Sequence, residues 1–77
     1  MNEMNTLHSM TTLQREFLVD RTRIGFIKFI FEAYEGVAVI TTLNAQTGHV
    51  RMAIAPGLAE DAFEIIADLK KDFMFDA

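Results

Sequence analysis

Apolar and polar residues alternate along this chain with two different periods, and each change of period marks a new element. In TLQREFLVD, Leu13, Phe17 and Val19 share one face at period two, with Arg15 out of place among them, which predicts a first strand. A helical period follows in DRTRIGFIKFIFEAYEG, which predicts the first helix. Two further strands are predicted in VAVITTL and HVRMAIA, joined by the turn NAQTG, and a second helix is predicted in LAEDAFEIIADLKK. Phe73 and Phe75 alternate in DFMFDA, so a short fourth strand is possible there.

This order of elements predicts an α+β fold. A β-α-β-β-α chain followed by a short last strand has the ferredoxin-like split βαβ plan, in which two helices cover one face of an antiparallel sheet. The strand order in that plan is 4-1-3-2, so VAVITTL becomes an edge strand. We expect residues 12–77 to form this single domain and residues 1–11, which are polar and without period, to be a flexible tail.

A few residues predict where the elements end. Asp20 or Thr22 can cap the start of the first helix. Gly36 follows the last periodic position of that helix, as a C′ residue does. Asn44 and Gly48 suit positive φ angles in the turn between the second and third strands.

The first helix is apolar over about twice the face that a sheet can cover. At 100° per residue its apolar positions span roughly 220°, whereas a helix on a sheet needs little more than about 100°. Those positions are Ile24, Phe26, Ile27, Phe29, Ile30, Phe31, Ala33 and Tyr34. An apolar edge strand without Lys or Pro is also a pairing surface. We therefore expect a homodimer or higher oligomer, with an interface formed by Phe26, Phe29, Ala33, Val37 and Val39. Alternatively, the tail folds over the helix, or the exposed Phe residues are tolerated singly.

Composition and charge narrow the classes of partner. The chain has 77 residues, 51% of them hydrophobic, no cysteine and a net charge of −4. An acidic chain with scattered basic residues does not have the basic face of a nucleic-acid binder. Lys28 interrupts the longest apolar helical run, so no membrane span is expected. The first ten residues do not resemble a signal peptide, and we expect a cytoplasmic protein.

No arrangement of residues predicts catalysis, a metal site or a cofactor. His8 and His49 are the only histidines, and no third ligand stands at a metal-binding spacing. Glu32 and Glu35 lie on the polar strip of the first helix, where ion pairs with Lys28 are expected rather than acid–base chemistry. We therefore expect a protein that is not an enzyme.

One cluster of polar residues could bind a ligand. The start of the first helix has two guanidinium groups, and a carboxylate or phosphate could bind there. The residues of this cluster are Asp20, Arg21, Thr22, Arg23 and Gly25. In an edge-paired dimer, Thr41, Thr42 and Asn44 of the second copy could complete this site for a small anion or amino acid. In the alternative interpretation, Asp20 and Thr22 cap the helix and the arginines are solvated or paired.

Five features follow one another along roughly residues 15–70: the segments DRTRIGFIKFIFEAYEG and VAVITTL, a TG turn, a strand ending in APG and an acidic helix. Together they resemble a small uncharacterised bacterial domain-of-unknown-function family. That resemblance implies a domain class without an assigned activity. More loosely, the chain is similar to ACT-type regulatory domains, although Asp20 and Gly25 stand five residues apart without a proline. This similarity implies ligand binding at the loop from Asp20 to Gly25. We expect a self-associating ligand-sensing or regulatory module, or alternatively an interaction adaptor that binds no ligand.

Overall fold

The computed structural model describes residues 12–76, and the elements of this part follow the predicted order. They are β1 (Leu13–Val19), α1 (Ile24–Ala33), β2 (Ala38–Asn44), β3 (His49–Ile54), α2 (Ala59–Leu69) and β4 (Phe75–Asp76). A 3₁₀ turn, Arg21–Arg23, joins β1 to α1. The tail predicted at residues 1–11, including His8, lies outside the described residues. Neither helix of the described part has the length and apolar content that crossing a bilayer requires.

The strands form one antiparallel sheet in the order β2-β3-β1-β4. This confirms the ferredoxin-like α+β fold, the edge position of β2 and the short fourth strand. β3 lies in the middle of the sheet, where Val50 is opposite Phe17 of β1 and Met52 is opposite Ile40 of β2. β4 adds only two residues to the other edge, where Phe75 is opposite Val19.

Both helices contribute to one apolar core on a single face of the sheet. Period-two alternation aims Phe17 and Val19 of β1 at this face, and Phe17 packs edge-to-face on Phe75 with ring centroids 5.0 Å apart. The other buried members of the core are Ile24, Ile27, Phe31, Val37, Ile40, Val50, Met52, Ile54, Ala62, Ile66 and Leu69. The opposite face of the sheet has no helix over it in the described part of the chain.

Two details of the predicted turns and helix ends are wrong. α1 ends at Ala33, and Gly36 (φ +83°) belongs to a separate turn closed by the Val37 N–H donating to the Tyr34 carbonyl at 3.1 Å. Asn44 does not have a positive φ, and its side chain accepts a hydrogen bond from the N–H of Gln46 within the turn. Gly48 does have the expected positive φ, at +82°.

Candidate functional site

The loop that follows β1 is held together by its own polar groups. The Asp20 carboxylate accepts hydrogen bonds from the Thr22 N–H at 3.0 Å and from the Thr22 hydroxyl at 2.7 Å. These bonds stabilise the ionised form and lower the pKa of Asp20, the Thr22 hydroxyl most and its N–H next, while the charges of Arg23 and Arg21 act in the same direction. Asp20 therefore caps the 3₁₀ turn Arg21–Arg23, with Thr22 as its donor. The expected cap of α1 itself is not formed, because the residue before Ile24 is Arg23 and it makes no side-chain capping bond.

The two arginines of the loop have different surroundings. The guanidinium of Arg23 lies over the ring of Phe73 at 5.8 Å from its centroid, and Phe73 also packs edge-to-face against Phe26 at 6.3 Å. The guanidinium of Arg23 is thus engaged in a cation–π contact with the ring of Phe73, the partner of Phe26. Arg21 is exposed. The pair of guanidinium groups expected to converge on an anion is thus divided between an intramolecular contact and the solvent.

Backbone contacts fix the same loop against the end of the sheet. The Val19 N–H donates to the Gly48 carbonyl at 2.9 Å, and the Asp20 N–H donates to the Met74 carbonyl at 3.1 Å. A Cβ on Gly48 would lie 2.0 Å from the Val19 carbonyl oxygen, so the turn after β2 lies directly against the end of β1. The turn of the same chain therefore lies beside the loop on this side.

The three residues of β2 predicted to complete a ligand site do not face one direction. Thr41 is opposite Arg51 on the face of the sheet without helices, whereas Thr42 is opposite Val50 and points to the core side. The Asn44 side-chain oxygen accepts hydrogen bonds from the N–H groups of Gln46 (2.9 Å) and Thr47 (3.2 Å). Asn44 thus organises the turn, and the set Thr41, Thr42 and Asn44 is not a converging group.

Gly25 of the predicted loop site has open space at its Cβ position. No heavy atom of the described residues would lie within 4 Å of a Cβ on Gly25, apart from its own helix backbone and chain neighbours. The residue is helical and exposed, so no left-handed conformation requires a glycine at this position. The absent side chain leaves room at the surface of α1.

Four of the five residues predicted for a self-association interface are exposed. Phe29 is 64% exposed and Val39 67%, and both Phe26 and Ala33 are also exposed on α1. Val37 does not belong to this surface, because it is 8% exposed and packs within the core. It precedes β2, so its side chain follows the turn rather than the alternation of the strand.

The uncovered face of the sheet is a surface that the sequence pattern did not reveal. Leu18 and Leu43 are exposed there with Val39, and the ring Nε2 of His49 is 2.8 Å from a carboxylate oxygen of Glu16. An open cavity of about 550 Å³ lies beside this pair. Alternation already placed Glu16 and His49 on the polar sides of their strands, but their proximity depends on the register between β1 and β3.

The described residues contain no preformed polar centre. No polar or charged side chain is buried among residues 12–76, and no three His, Asp or Glu side chains of this part are grouped as metal ligands would be. The ion pair expected between Lys28 and Glu32 is not formed in this part of the chain, where the salt bridges are His49–Glu16 and Lys71–Asp68.

Comparison with known proteins identifies the family of this fold. The family model described as Domain of unknown function (DUF4911) matches residues 17–72, most of the described chain. The chain belongs to this family. The match confirms the predicted relationship to an uncharacterised domain family, and the function of the DUF4911 domain is unknown. No curated protein and no solved structure matched the chain, and the resemblance to ACT-type domains is not confirmed.

Proposed function

We propose that this DUF4911 domain is a non-enzymatic interaction module that associates with a second copy of itself through the edge of β2. The observation that carries the proposal is the difference between the two edges of the sheet. One edge is shared by β4, which pairs with Leu18 and Val19, and by the earlier part of β1, which contains the charged Arg15 and Glu16, so the short strand and the charges discourage strand pairing. The edge formed by β2 has seven residues, AVITTLN, without a charge or a proline.

The ligand-sensing role has less support than association. Asp20, Thr22 and Asn44 use their side-chain oxygens within their own turns, and Arg23 lies on Phe73. A bound anion would have to displace these contacts, because a hydrogen bond already formed inside the protein is lost when the group turns to a ligand. The proposal also includes a cytoplasmic location, which fractionation of cells that make the protein would check.

A backbone substitution tests association without a change of charge. Ala38→Pro removes an N–H at the first residue of β2, where proline is tolerated at a sheet edge. Ala45→Pro is the matched control, because it makes the same substitution in the turn after Asn44, at a position that favours proline. We expect the unmodified chain and Ala45→Pro to sediment as dimers at micromolar concentration, and Ala38→Pro to sediment as a folded monomer.

Circular dichroism and unfolding of each variant separate loss of association from loss of the fold. A monomeric unmodified chain across the whole concentration range would refute the proposal, and so would an Ala38→Pro variant that dimerises as strongly as Ala45→Pro. A thermal-shift series with phosphate and free amino acids tests the competing role. A ligand at about 100 times its Kd would raise the unfolding free energy by about 2.7 kcal/mol, and such a shift would favour sensing.

A further inference from the structure

The free edge of β2 presents its backbone groups at alternate residues. The Ala55 N–H donates to the Val37 carbonyl at 2.8 Å, so residues 37 and 55 are a hydrogen-bonded pair of the β2–β3 ladder. In an antiparallel ladder these pairs alternate with pairs that exchange no hydrogen bonds. Val39 and Thr41 therefore also bond to β3, opposite Ala53 and Arg51. The N–H and C=O groups of residues 38, 40 and 42 point away from the sheet.

These three residues are symmetric about Ile40. When a second β2 strand runs antiparallel with Ile40 opposite Ile40, Ala38 is opposite Thr42 and Thr42 is opposite Ala38. All three positions then become hydrogen-bonded pairs, each exchanging two hydrogen bonds. Shifting the second strand by two residues leaves one position on each strand without its pair. The edge is thus complementary to itself in one register, as an interface with two-fold symmetry requires.

A strip of α1 borders the same edge. Lys28 and Glu32 line a small cleft of about 140 Å³ together with residues 38–40 of β2. Gly25, Lys28, Phe29 and Glu32 have the i, i+3, i+4, i+7 spacing that places them along one side of the helix. The open space at Gly25 lets another helix approach closely, and Phe29 provides exposed apolar surface beside it.

We infer that two copies of the chain form one eight-stranded sheet about a two-fold axis at Ile40, in which the α1 strips of both copies pack antiparallel. The inference rests on the proposed self-association and adds its register and its second contact layer. Gly25 of one copy is then next to Glu32 of the other, and Lys28 is next to Phe29. The ammonium group of Lys28 is within reach of Glu32 of the second copy, so the charges that form no ion pair within one chain become complementary between two copies.

Cysteine cross-linking tests the register, because the chain contains no cysteine of its own. In the inferred register Val39 is directly opposite Thr41 of the second copy, in a pair with Cα atoms about 4.5 Å apart. Val39 is diagonal to Val39 of the second copy at about 7–8 Å, beyond the separation that a disulfide spans easily. We therefore expect a mixture of Val39→Cys and Thr41→Cys chains to oxidise mainly to the mixed dimer.

An affinity tag on one variant makes the three cross-linked dimers separable by mass. Predominant Val39–Val39 or Thr41–Thr41 dimers would overturn the register, and so would a dimer by sedimentation that forms no cross-link at all. Both of these results leave self-association intact. A chain that sediments as a monomer in every mixture would instead refute the proposed function itself.

Charge reversal tests the contact between the helices. Lys28→Glu should weaken the dimer about tenfold, because it replaces two attractive contacts by repulsion at a solvent-exposed surface. Lys28→Glu combined with Glu32→Lys should restore the Kd to within about threefold of the unmodified chain. Lys70→Glu is the matched control, since it makes the same change in net charge at an exposed residue after α2. Equal weakening by Lys28→Glu and Lys70→Glu, or no recovery in the double variant, would overturn the helix contact.

Discussion

Replacement of Gly48 by alanine tests whether the turn after β2 and the end of β1 form one rigid unit. Gly48 has a φ of +82°, its carbonyl accepts the Val19 N–H at 2.9 Å, and its N–H donates to the Asn44 carbonyl at 3.0 Å. The added Cβ would lie 2.0 Å from the Val19 oxygen and 3.1 Å from the Val19 carbonyl carbon. Backbone atoms on both sides of this contact have to move apart by more than an ångström.

The cost of that movement has two parts. An alanine in the left-handed region costs roughly 1–2 kcal/mol. Separation of the two segments also weakens the bond between Val19 and Gly48, worth about 1 kcal/mol, and disturbs the packing of Val19, which is 1% exposed. The expected decrease in unfolding free energy is therefore about 3–4 kcal/mol, a large part of the roughly 4–12 kcal/mol typical of a chain of this length.

Gly57→Ala isolates the steric part of this effect. Gly57 has nearly the same φ, +80°, but apart from its chain neighbours no heavy atom of residues 12–76 lies within 4 Å of its Cβ position, so only the left-handed strain applies. Urea or thermal unfolding at one fixed protein concentration should show Gly48→Ala less stable than Gly57→Ala by about 2 kcal/mol or more. For a domain of this size that is roughly 8–16 °C in Tm. Two variants within about 0.5 kcal/mol of each other would refute the steric argument.

Three further substitutions test the assignments of individual residues. In the monomeric Ala38→Pro background, Gly25→Ala should raise the free energy of unfolding in urea by about 0.5–1 kcal/mol, because alanine has a higher helix propensity than glycine and the added Cβ has open space; a loss of stability would contradict the open space. Asp20→Asn should lower the Tm at neutral pH, and the difference should disappear as the pH falls through the lowered pKa of Asp20, since the bonds from Thr22 stabilise only the ionised form; a constant difference would contradict this. Val37→Ala should lower the free energy of unfolding by about 2 kcal/mol and leave the dimer Kd unchanged, with Val39→Ala as the control at an exposed position. A Val37→Ala variant with unchanged stability and a weaker dimer would show instead that Val37 belongs to the interface.

The fold could be predicted because local patterns and topology point to the same arrangement. The change from period two to a helical period at Asp20 separates β1 from α1, and glycines or a proline stand at most of the later boundaries. Once five elements are in order, the split βαβ plan determines the strand order and hence the exposed edge at β2. The end of α1 was missed because periodicity continues through Tyr34, whereas the backbone leaves the helix there.

The buried side of α1 could not be predicted from the sequence alone. The apolar arc treats Ile27 and Phe29 alike, yet Ile27 is fully buried against the sheet and Phe29 points away from it. Rotation of the helix about its axis depends on which side chains fit between α1, α2 and the strands, and hydrophobicity does not encode that fit. Val37 was misplaced for a related reason, because the turn before β2 changes the direction of its side chain.

The predicted ligand site combined residues that are close in sequence but differ in direction. Alternation along β2 already implied that Thr41 and Thr42 face opposite sides of the sheet, so this part of the error was avoidable. The contact between Arg23 and Phe73 spans fifty positions of the chain and needed the tertiary structure. The turn role of Asn44 had a local signal, since asparagine commonly accepts hydrogen bonds from the N–H groups that follow it.

The hydrogen bonds already made by the loop, and those not yet made by the edge of β2, explain why association has more support than ligand binding. Polar groups of the loop that bond one another gain nothing new from a ligand unless the ligand offers stronger contacts than those it displaces. The edge-facing N–H and C=O groups of Ala38, Ile40 and Thr42 have no partner within the ladder that β2 forms with β3, so they can pair with another strand. In the inferred register, a second β2 strand would provide both donors and acceptors in matching order. Association through this edge therefore adds contacts, whereas ligand binding at the loop would exchange them.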